Sequence, residues 1–389
     1  MKKRWKTMNN YDIIIIGAGS VGVPLSYYLA EAGADVAVLE KNCSVGRGQN
    51  RAAIGGIRAT HSNPAKIKIS QKTIDIVSRI DVEYGFDVDW YRGGYLFAVY
   101  TEKHENDLRD LLELQKHYKL NIDWIPPSRV EKLVPGINSS GLRGGTYSPE
   151  DGSASPLKVA DAFYKLALDA GVDFHFKEEV HKFETNSNKI KTVFTDKNKY
   201  SGDLIINAAG GNARDIGELL DTDIPVFPDS HEGGITEPVQ RFFDPMVIDL
   251  REGNISANYY FYQNVEGQIV FCMTPKPKIP GKDTNCTSKF LPEVIRRMVN
   301  LYPRLRNIRV RRTWRGLYPM TPDGFPIIGY DPKIENMFLT VGMCGHGFML
   351  GPGLGEILSE VLIDGDHKHD DILQELSPER DFSGMEKLE

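Results

Sequence analysis

Cysteine is scarce in this sequence. Only Cys43, Cys272, Cys286 and Cys344 occur among 389 residues, and they form neither a CxxC pair nor a Cys/His group with zinc-ligand spacing. That spread points to reduced thiols in a cytoplasmic protein with no metal centre. Long apolar runs are missing too. No stretch approaches the ~18–20 residues of a spanning helix, which leaves peripheral membrane attachment as the one membrane role still open. The basic start Met1-Lys-Lys-Arg-Trp-Lys6 is followed by a short apolar run, Ile13 to Ile16, with Asp12 before it. The run reads as a first strand rather than the core of a signal peptide. Positive charge is in short supply as well: the formal net charge is −6, which argues against nucleic acid as the main partner. No internal repeat or low-complexity tract is visible.

The length allows two domains, since single cores seldom grow beyond ~250–300 residues. Hydrophobic content of 41% and charged content of 26% are ordinary for a globular chain. The strongest local signal is Tyr11-Asp-Ile-Ile-Ile-Ile-Gly17-Ala-Gly19-Ser20-Val21-Gly22, followed by Val36-Ala-Val-Leu-Glu40. It reads as strand, glycine turn, helix and a second strand ending in a carboxylate. Gly17 makes the tight turn, Gly19 lets backbone amides approach a pyrophosphate, and Gly22 permits close packing of helix on strand. The helix N-terminus adds partial positive charge. Glu40 falls where an acid accepts the hydrogen bonds of an adenosine ribose.

The segment Lys41 to Arg58 is glycine-rich and aperiodic, as functional loops beside nucleotide sites often are. Helical spacing then covers Asn63 to Tyr84, Tyr95 to Tyr100 reads as a strand, and Glu102 to Tyr118 as a surface helix. A capped helix from Ser155 to Gly171 precedes a strand, Val172 to Phe176. The strand Leu204-Ile-Ile-Asn207 runs into Ala208-Ala209-Gly210-Gly211, a second glycine turn. Between Pro225 and Met320 the pattern changes to short aromatic strands, such as Asn258 to Tyr262 and Gln268 to Cys272, interrupted by one helix from Phe290 to Tyr302. A third unit follows: strand Asn336 to Val341, glycine loop Gly342 to Gly355, and helix Glu356 to Ile363, with the helix start expected near Gly353.

Three glycine turns so far apart converge on one long ligand only if the nucleotide domain is discontinuous, and that points to FAD rather than exchangeable NAD. The fold expected is α/β, α+β overall. A Rossmann-like FAD-binding domain (1–90, 150–224 and 325–389) receives an inserted antiparallel-sheet substrate domain (91–149 and 225–324).

The whole chain resembles the FAD-dependent amine and amino-acid oxidoreductases of the D-amino-acid oxidase superfamily, especially sarcosine oxidase β subunits, proline dehydrogenase β subunits and glycine oxidases. The matching segments are the opening fingerprint with Glu40-Lys41, Gly56-Ile57-Arg58, Asn207 to Gly211, Thr321-Pro-Asp-Gly-Phe-Pro-Ile-Ile-Gly329, and Gly345-His346-Gly347-Phe348-Met349. The resemblance implies that Glu40 and Lys41 meet the adenosine and that Val180 contacts adenine. It takes the loop of Arg47, Gly48, Asn50, Arg51, Ala52 and Ala53 past the flavin, puts Ala208, Ala209 and Gly210 at the cofactor, and lines the isoalloxazine with residues 345–349. Relatives oxidise a carbon–nitrogen bond by hydride transfer to flavin N5, leaving an imine that water hydrolyses.

A substrate carboxylate in an apolar cavity calls for a guanidinium, and Arg58 is the leading candidate, with Arg315 behind it. Tyr259, Tyr260 and Tyr318 are candidates to close the site. His346 is expected at the flavin, while His61 and His231 are assigned solvent or loop positions by default. Departures from the relatives also matter. The cysteine that anchors flavin in monomeric sarcosine oxidases aligns with Gly316, and the lysine they hold over the flavin aligns near Ile269. The cofactor is therefore expected to be non-covalent. Oxygen, a quinone or a partner redox subunit remains open as acceptor. The substrate expected is a small amino acid or amine such as sarcosine, glycine or proline, and homo- or hetero-oligomers are both compatible. The alternatives are an electron-relay FAD subunit and a hydroxy-acid oxidoreductase.

Overall fold

A computed structural model describes residues 9–388; the basic start Met1–Lys6 lies outside them. The isoleucine run forms the strand Asn9–Ile16 at the centre of one sheet. It pairs in parallel with Lys199–Asn207 on one side and Val36–Glu40 on the other. Asp173–Phe176 and Met337–Val341 extend the parallel array, and Ile327–Tyr330 closes one edge antiparallel. Ile16 stands level with both Asn207 and Leu39, and Asn207 level with Leu339. The glycine turns that follow these strands therefore open at one height, the carboxyl edge where ligands of such sheets bind. The hairpin Val180–Asn186/Lys189–Thr195, not anticipated from the sequence, joins this sheet through Lys199–Asn207.

The helices Gly22–Glu31, Pro64–Tyr84, Pro156–Asp169 and Gly347–Ser359 share one apolar core against the sheet. Pro64–Tyr84 starts where the sequence says it should: Asn63 accepts the Lys66 amide at 2.9 Å, proline opens the first turn, and Gly85 ends it in the left-handed region at φ 73°. The helix after the third glycine turn differs from expectation. It runs Gly347–Ser359, so it starts six residues before Gly353 and absorbs Pro352 with Gly351, Gly353 and Gly355. Those glycines are there for packing rather than for a turn. A Cβ on Gly351 would overlap the Ser20 carbonyl, one on Gly353 the Ile69 carbonyl, and one on Gly355 would lie 2.9 Å from the Leu25 amide. The helix is thus wedged between Gly22–Glu31 and Pro64–Tyr84 at backbone contact.

Gly351→Ala is therefore expected to cost about 1–3 kcal/mol or more by overpacking, and to lower flavin occupancy, because the atom it strikes belongs to the dinucleotide turn. Gly19→Ala, whose added Cβ meets nothing within 4 Å, should leave the fold intact and weaken only the cofactor. Thermal melts with and without FAD separate the two; equal melting points for both variants would contradict this packing argument.

The second sheet has the order Val310–Met320, Phe227–Pro238, Gln268–Pro275, Ser256–Gln263, Met246–Asp249, Tyr95–Val99, Gly144–Ser148, Asp123–Ile125. It is antiparallel except for the pair Met246–Asp249/Tyr95–Val99, and two of its strands run to 12 and 11 residues. Phe290–Leu301 covers one face through Phe261, Phe271 and Tyr302. The opposite face looks toward the carboxyl edge of the first sheet. Among the described residues no helix is long and apolar enough to cross a membrane.

Candidate functional site

One cavity of about 470 Å³ lies between the two sheets, and all three glycine turns contribute to its wall. At the first turn Gly17 takes φ 111° and a Cβ there would sit 2.6 Å from the Ala208 carbonyl, so the first and second turns touch. Gly19, Ser20 and Val21 line the cavity; Gly22 does not, being pressed on the Gly17 carbonyl. Glu40 is buried in the wall, and its Oε2 accepts the Ala18 amide at 2.9 Å while Oε1 accepts the Asn42 amide at 2.7 Å. The carboxylate thereby ties the first turn to the loop after the second strand. Lys41, exposed and paired with Glu179 at 3.6 Å, and Val180 complete this end.

Within the loop after Glu40, Gly48, Asn50, Ala52 and Ala53 line the cavity, whereas Arg47 and Arg51 lie outside its wall. Residues of the second sheet hold this loop: Trp314 Nε1 donates to the Ala52 carbonyl at 2.9 Å, and the Tyr262 hydroxyl to the Ile54 carbonyl at 2.7 Å. A Cβ on Gly316 would lie 2.5 Å from the Ala52 Cβ. A side chain at 316 has no room while the loop sits there.

Ala208, Ala209, Gly210 and residues 345–349 continue the wall. Of the buried side-chain atoms lacking a hydrogen-bond partner among the described residues, Asn50 Oδ1, His231 Nδ1 and Thr340 Oγ1 belong to wall residues. Unpaired buried polar atoms are costly, and their gathering here, with the open space beside Gly19, fits a polar ligand of dinucleotide length.

The far end is cationic. Arg58 is buried, lines the cavity, and donates from Nη1 to the Thr60 carbonyl and from Nη2 to the Leu388 carbonyl, the latter at 2.5 Å. Behind it Lys66, fully buried on its helix, pairs with Glu386 and donates to His346 Nδ1 at 3.2 Å. An ammonium has only protons to offer, so Nδ1 accepts from Lys66, while Nε2 faces Arg58 Nη2 at 3.5 Å. Burial, with Lys66 and Arg58 alongside, holds the His346 pKa well below its ordinary value. The ring is held neutral between two cations. Burial raises Glu386, but the Lys66 ammonium outweighs it and draws the carboxyl down to about 2. Asp151 accepts the Ala59 amide and the Thr60 hydroxyl, shaping the turn after Arg58, and burial lifts its pKa to about 7.

On the second sheet, Tyr260 and Tyr318 reach the cavity with hydroxyls 3.1 Å apart. Tyr259 does not: strand alternation turns it to the opposite face, where it donates to Asp249 at 2.9 Å. Ile269 likewise points into that opposite core, so the cavity-facing residues of its strand are Cys272 and Thr274. Arg315 is drawn off by Asp283 at 3.0 Å. His61 is fully buried rather than solvated, beside Arg58 and Ser70. His231 is buried in the cavity wall, stacked on Tyr318. Lys66, Asp151, Glu386 and Leu388 are additions. A lysine four residues before Ser70 on an apolar helical stripe was the one readable sign among them.

Residues 12–361 match the model of the DAO family, FAD dependent oxidoreductase. The mitochondrial dimethylglycine dehydrogenase of Homo sapiens is 25% identical over 97% of this chain, which spans 45% of that protein's own length. Sarcosine oxidase subunit beta of Arthrobacter sp is 26% identical, over 91% of this chain and 87% of the relative. The crystal structure of L-proline dehydrogenase from P. horikoshii superposes with a TM-score of 0.87 at 30% identity, covering 93% of this chain and 96% of that one. With the match extending over most of its length and the cavity walled by its three glycine turns, the chain belongs to the DAO family of FAD dependent oxidoreductases.

Proposed function

We propose that this protein oxidises the C–N bond of a small amino acid or N-methyl amino acid of the sarcosine, glycine or proline kind, to an imine that water hydrolyses. The observation that carries the reading is the continuity of one cavity from the glycine turns to a buried guanidinium, Arg58. Relatives named for dimethylglycine, sarcosine and L-proline point to substrates whose carboxylate lies one carbon from the nitrogen. In this reading the units 9–90, 150–224 and 325–388 carry the cofactor, and 91–149 and 225–324 carry the substrate.

FAD, when bound, supplies the two-electron acceptor. Gly17, Gly19, Ser20 and Val21 would hold its diphosphate, Glu40, Lys41 and Val180 its adenosine. Ala52, Ala53 and residues 345–349 would hold the ring system. The lack of room at Gly316 supports non-covalent binding. Arg58 takes the substrate carboxylate, in competition with the Leu388 carbonyl on one edge of the guanidinium. Tyr260 and Tyr318 close the apolar wall and exclude water. A reducing, cytoplasmic setting is supported by the exposed thiols of Cys43 and Cys286. Assembly with a redox partner is supported by the likeness to a named β subunit.

Anaerobic mixing of the FAD-loaded protein with a panel of amino and secondary-amino acids is expected to bleach the flavin with at least one of them. Bound flavin that no amine bleaches, but that a hydroxy acid or a copurifying partner reduces, would overturn the proposal.

A further inference from the structure

Residues 384–388 run into the Arg58 end of the cavity, with Met385 and Lys387 exposed and Glu386 and Leu388 buried. Glu386 is a fixed post. Its carboxylate accepts from Lys66 and from the Ser62 hydroxyl, and its amide donates to the Asp323 carbonyl at 3.0 Å. Beyond the post the hold is lighter. The Lys387 amide donates to Ser62 Oγ at 3.1 Å and the Leu388 amide to Glu386 Oε1 at 3.1 Å. Leu388 is then fastened at its other side by Arg58, whose Nη2 donates to its carbonyl at 2.5 Å.

Leu388, itself part of the cavity wall, fills that end in two ways. Its side chain joins the apolar cluster of Tyr95, Phe97, Met246 and Ile248, which line the same cavity. Its carbonyl takes one edge of the guanidinium, while the Thr60 carbonyl takes Nη1. A branched hydrocarbon on the facing sheet and a C=O on Arg58 are the two things that an acid with an apolar group would place there. The carbonyl is the weaker partner. A carboxylate carries a full charge and forms charge-assisted bonds with a guanidinium, so exchange at Arg58 favours an incoming acid. Hydrocarbon on that acid replaces the contacts that Leu388 gives up.

Resting on the carboxylate seat of the amine reading above, we propose that Leu388 is a resident stand-in for substrate, holding the Arg58 seat until a carboxylate displaces it. The chain swings at the exposed Lys387, Leu388 and its carbonyl leave, and Glu386 stays on Lys66. Because the stand-in has to leave for any occupant, it lowers the apparent affinity of every carboxylate by one factor, set by the fraction of chains whose seat is free. A fixed wall would act differently, excluding bulky acids and leaving small ones alone. A brace for Arg58 would act in the opposite sense, since its loss would weaken every acid.

The test uses the FAD-loaded protein with acetate and with 4-methylpentanoate, which is leucine without its nitrogen, each titrated by perturbation of the flavin spectrum. Leu388→Gly keeps the carbonyl and removes the hydrocarbon that anchors it. It should tighten both acids by the same factor, about tenfold or more, and lower KM for an oxidised amino acid by that factor. 4-Methylpentanoate should bind more tightly than acetate, by about tenfold or more, in wild type and variant alike. In wild type, saturating 4-methylpentanoate should speed tryptic cleavage after Lys387, read by mass spectrometry, because release of Leu388 exposes that bond. Unchanged affinities in Leu388→Gly, or tightening of 4-methylpentanoate alone, would overturn the proposal in favour of a fixed wall, and weakening of both acids in favour of a brace. Slower or unchanged cleavage after Lys387 with the acid present would overturn it even if the variant failed to fold. Amines that never bleach the flavin, with both acids behaving as expected, would overturn the amine reading and support the stand-in.

Discussion

Arg58→Ala is expected to lower kcat/KM for a carboxylate-bearing amine about 10²–10³-fold while leaving FAD bound. The size follows from the setting. A guanidinium that is 6% exposed and meets a carboxylate away from water contributes through a charge-assisted, two-point contact, and removing one partner of such a pair costs about 2–5 kcal/mol. The glycine turns at Gly17, Ala208 and Gly345 are built from backbone, and the Arg58 side chain meets them through His346 Nε2 at a long 3.5 Å, so flavin absorbance should persist. Arg58→Lys restores charge but not the planar fork, and should recover only part of the loss. A simple secondary amine lacking the acid group should react equally poorly with wild type and variant. Equal penalties for acidic and non-acidic amines would reduce Arg58 to a brace for the Thr60 and Leu388 carbonyls.

The glycine-turn end of the cavity was legible because its determinants are local. The opening strand, the spacing of Gly17, Gly19 and Gly22, and Glu40 lie within thirty residues and specify their own conformation. The helix cap at Ser155 read correctly for the same reason. The start of the helix Gly347–Ser359 was misread because propensity treats glycine and proline as breakers. Here the small residues are chosen by neighbours three hundred residues away, Ser20, Leu25 and Ile69, and tertiary packing overrides propensity. The choice between Tyr259 and Tyr260 depended on strand parity, which no composition argument fixes. The cluster of Arg58, Lys66, His346 and Glu386 joins segments from both ends of the chain, so its members carried no shared motif.

Glu386→Gln should be the most damaging single change to stability at neutral pH. Lys66 and Glu386 have fully buried side chains in direct contact, and removing one partner of such a pair leaves an uncompensated charge at a cost of about 3–5 kcal/mol. The pH dependence carries the signature. With its folded pKa at about 2 against an ordinary 4.5, Glu386 contributes stability that is fully present above about pH 4.5. That contribution is lost as pH falls toward 2, because the unfolded chain takes up the proton first. Glu386→Gln should lack this acid slope and gain one at the other end. Burial already lowers the Lys66 pKa, and without its counterion the lysine is driven further toward the neutral amine. The variant should then grow more stable as pH rises toward 10.5, the lysine's ordinary value, where the unfolded chain also gives up its proton. Pairing Glu386→Gln with Lys66→Met should recover most of the loss, since an apolar replacement of both partners removes the buried charge altogether. Denaturant melts near pH 4, 7 and 9.5 distinguish these cases. If the single variant matched wild type at neutral pH, the ion pair would be stabilising nothing, and the segment that carries Glu386 to Arg58 would be held by its other bonds, the Glu386 amide to the Asp323 carbonyl at 3.0 Å, the Lys387 amide to Ser62 Oγ at 3.1 Å and Arg58 to the Leu388 carbonyl.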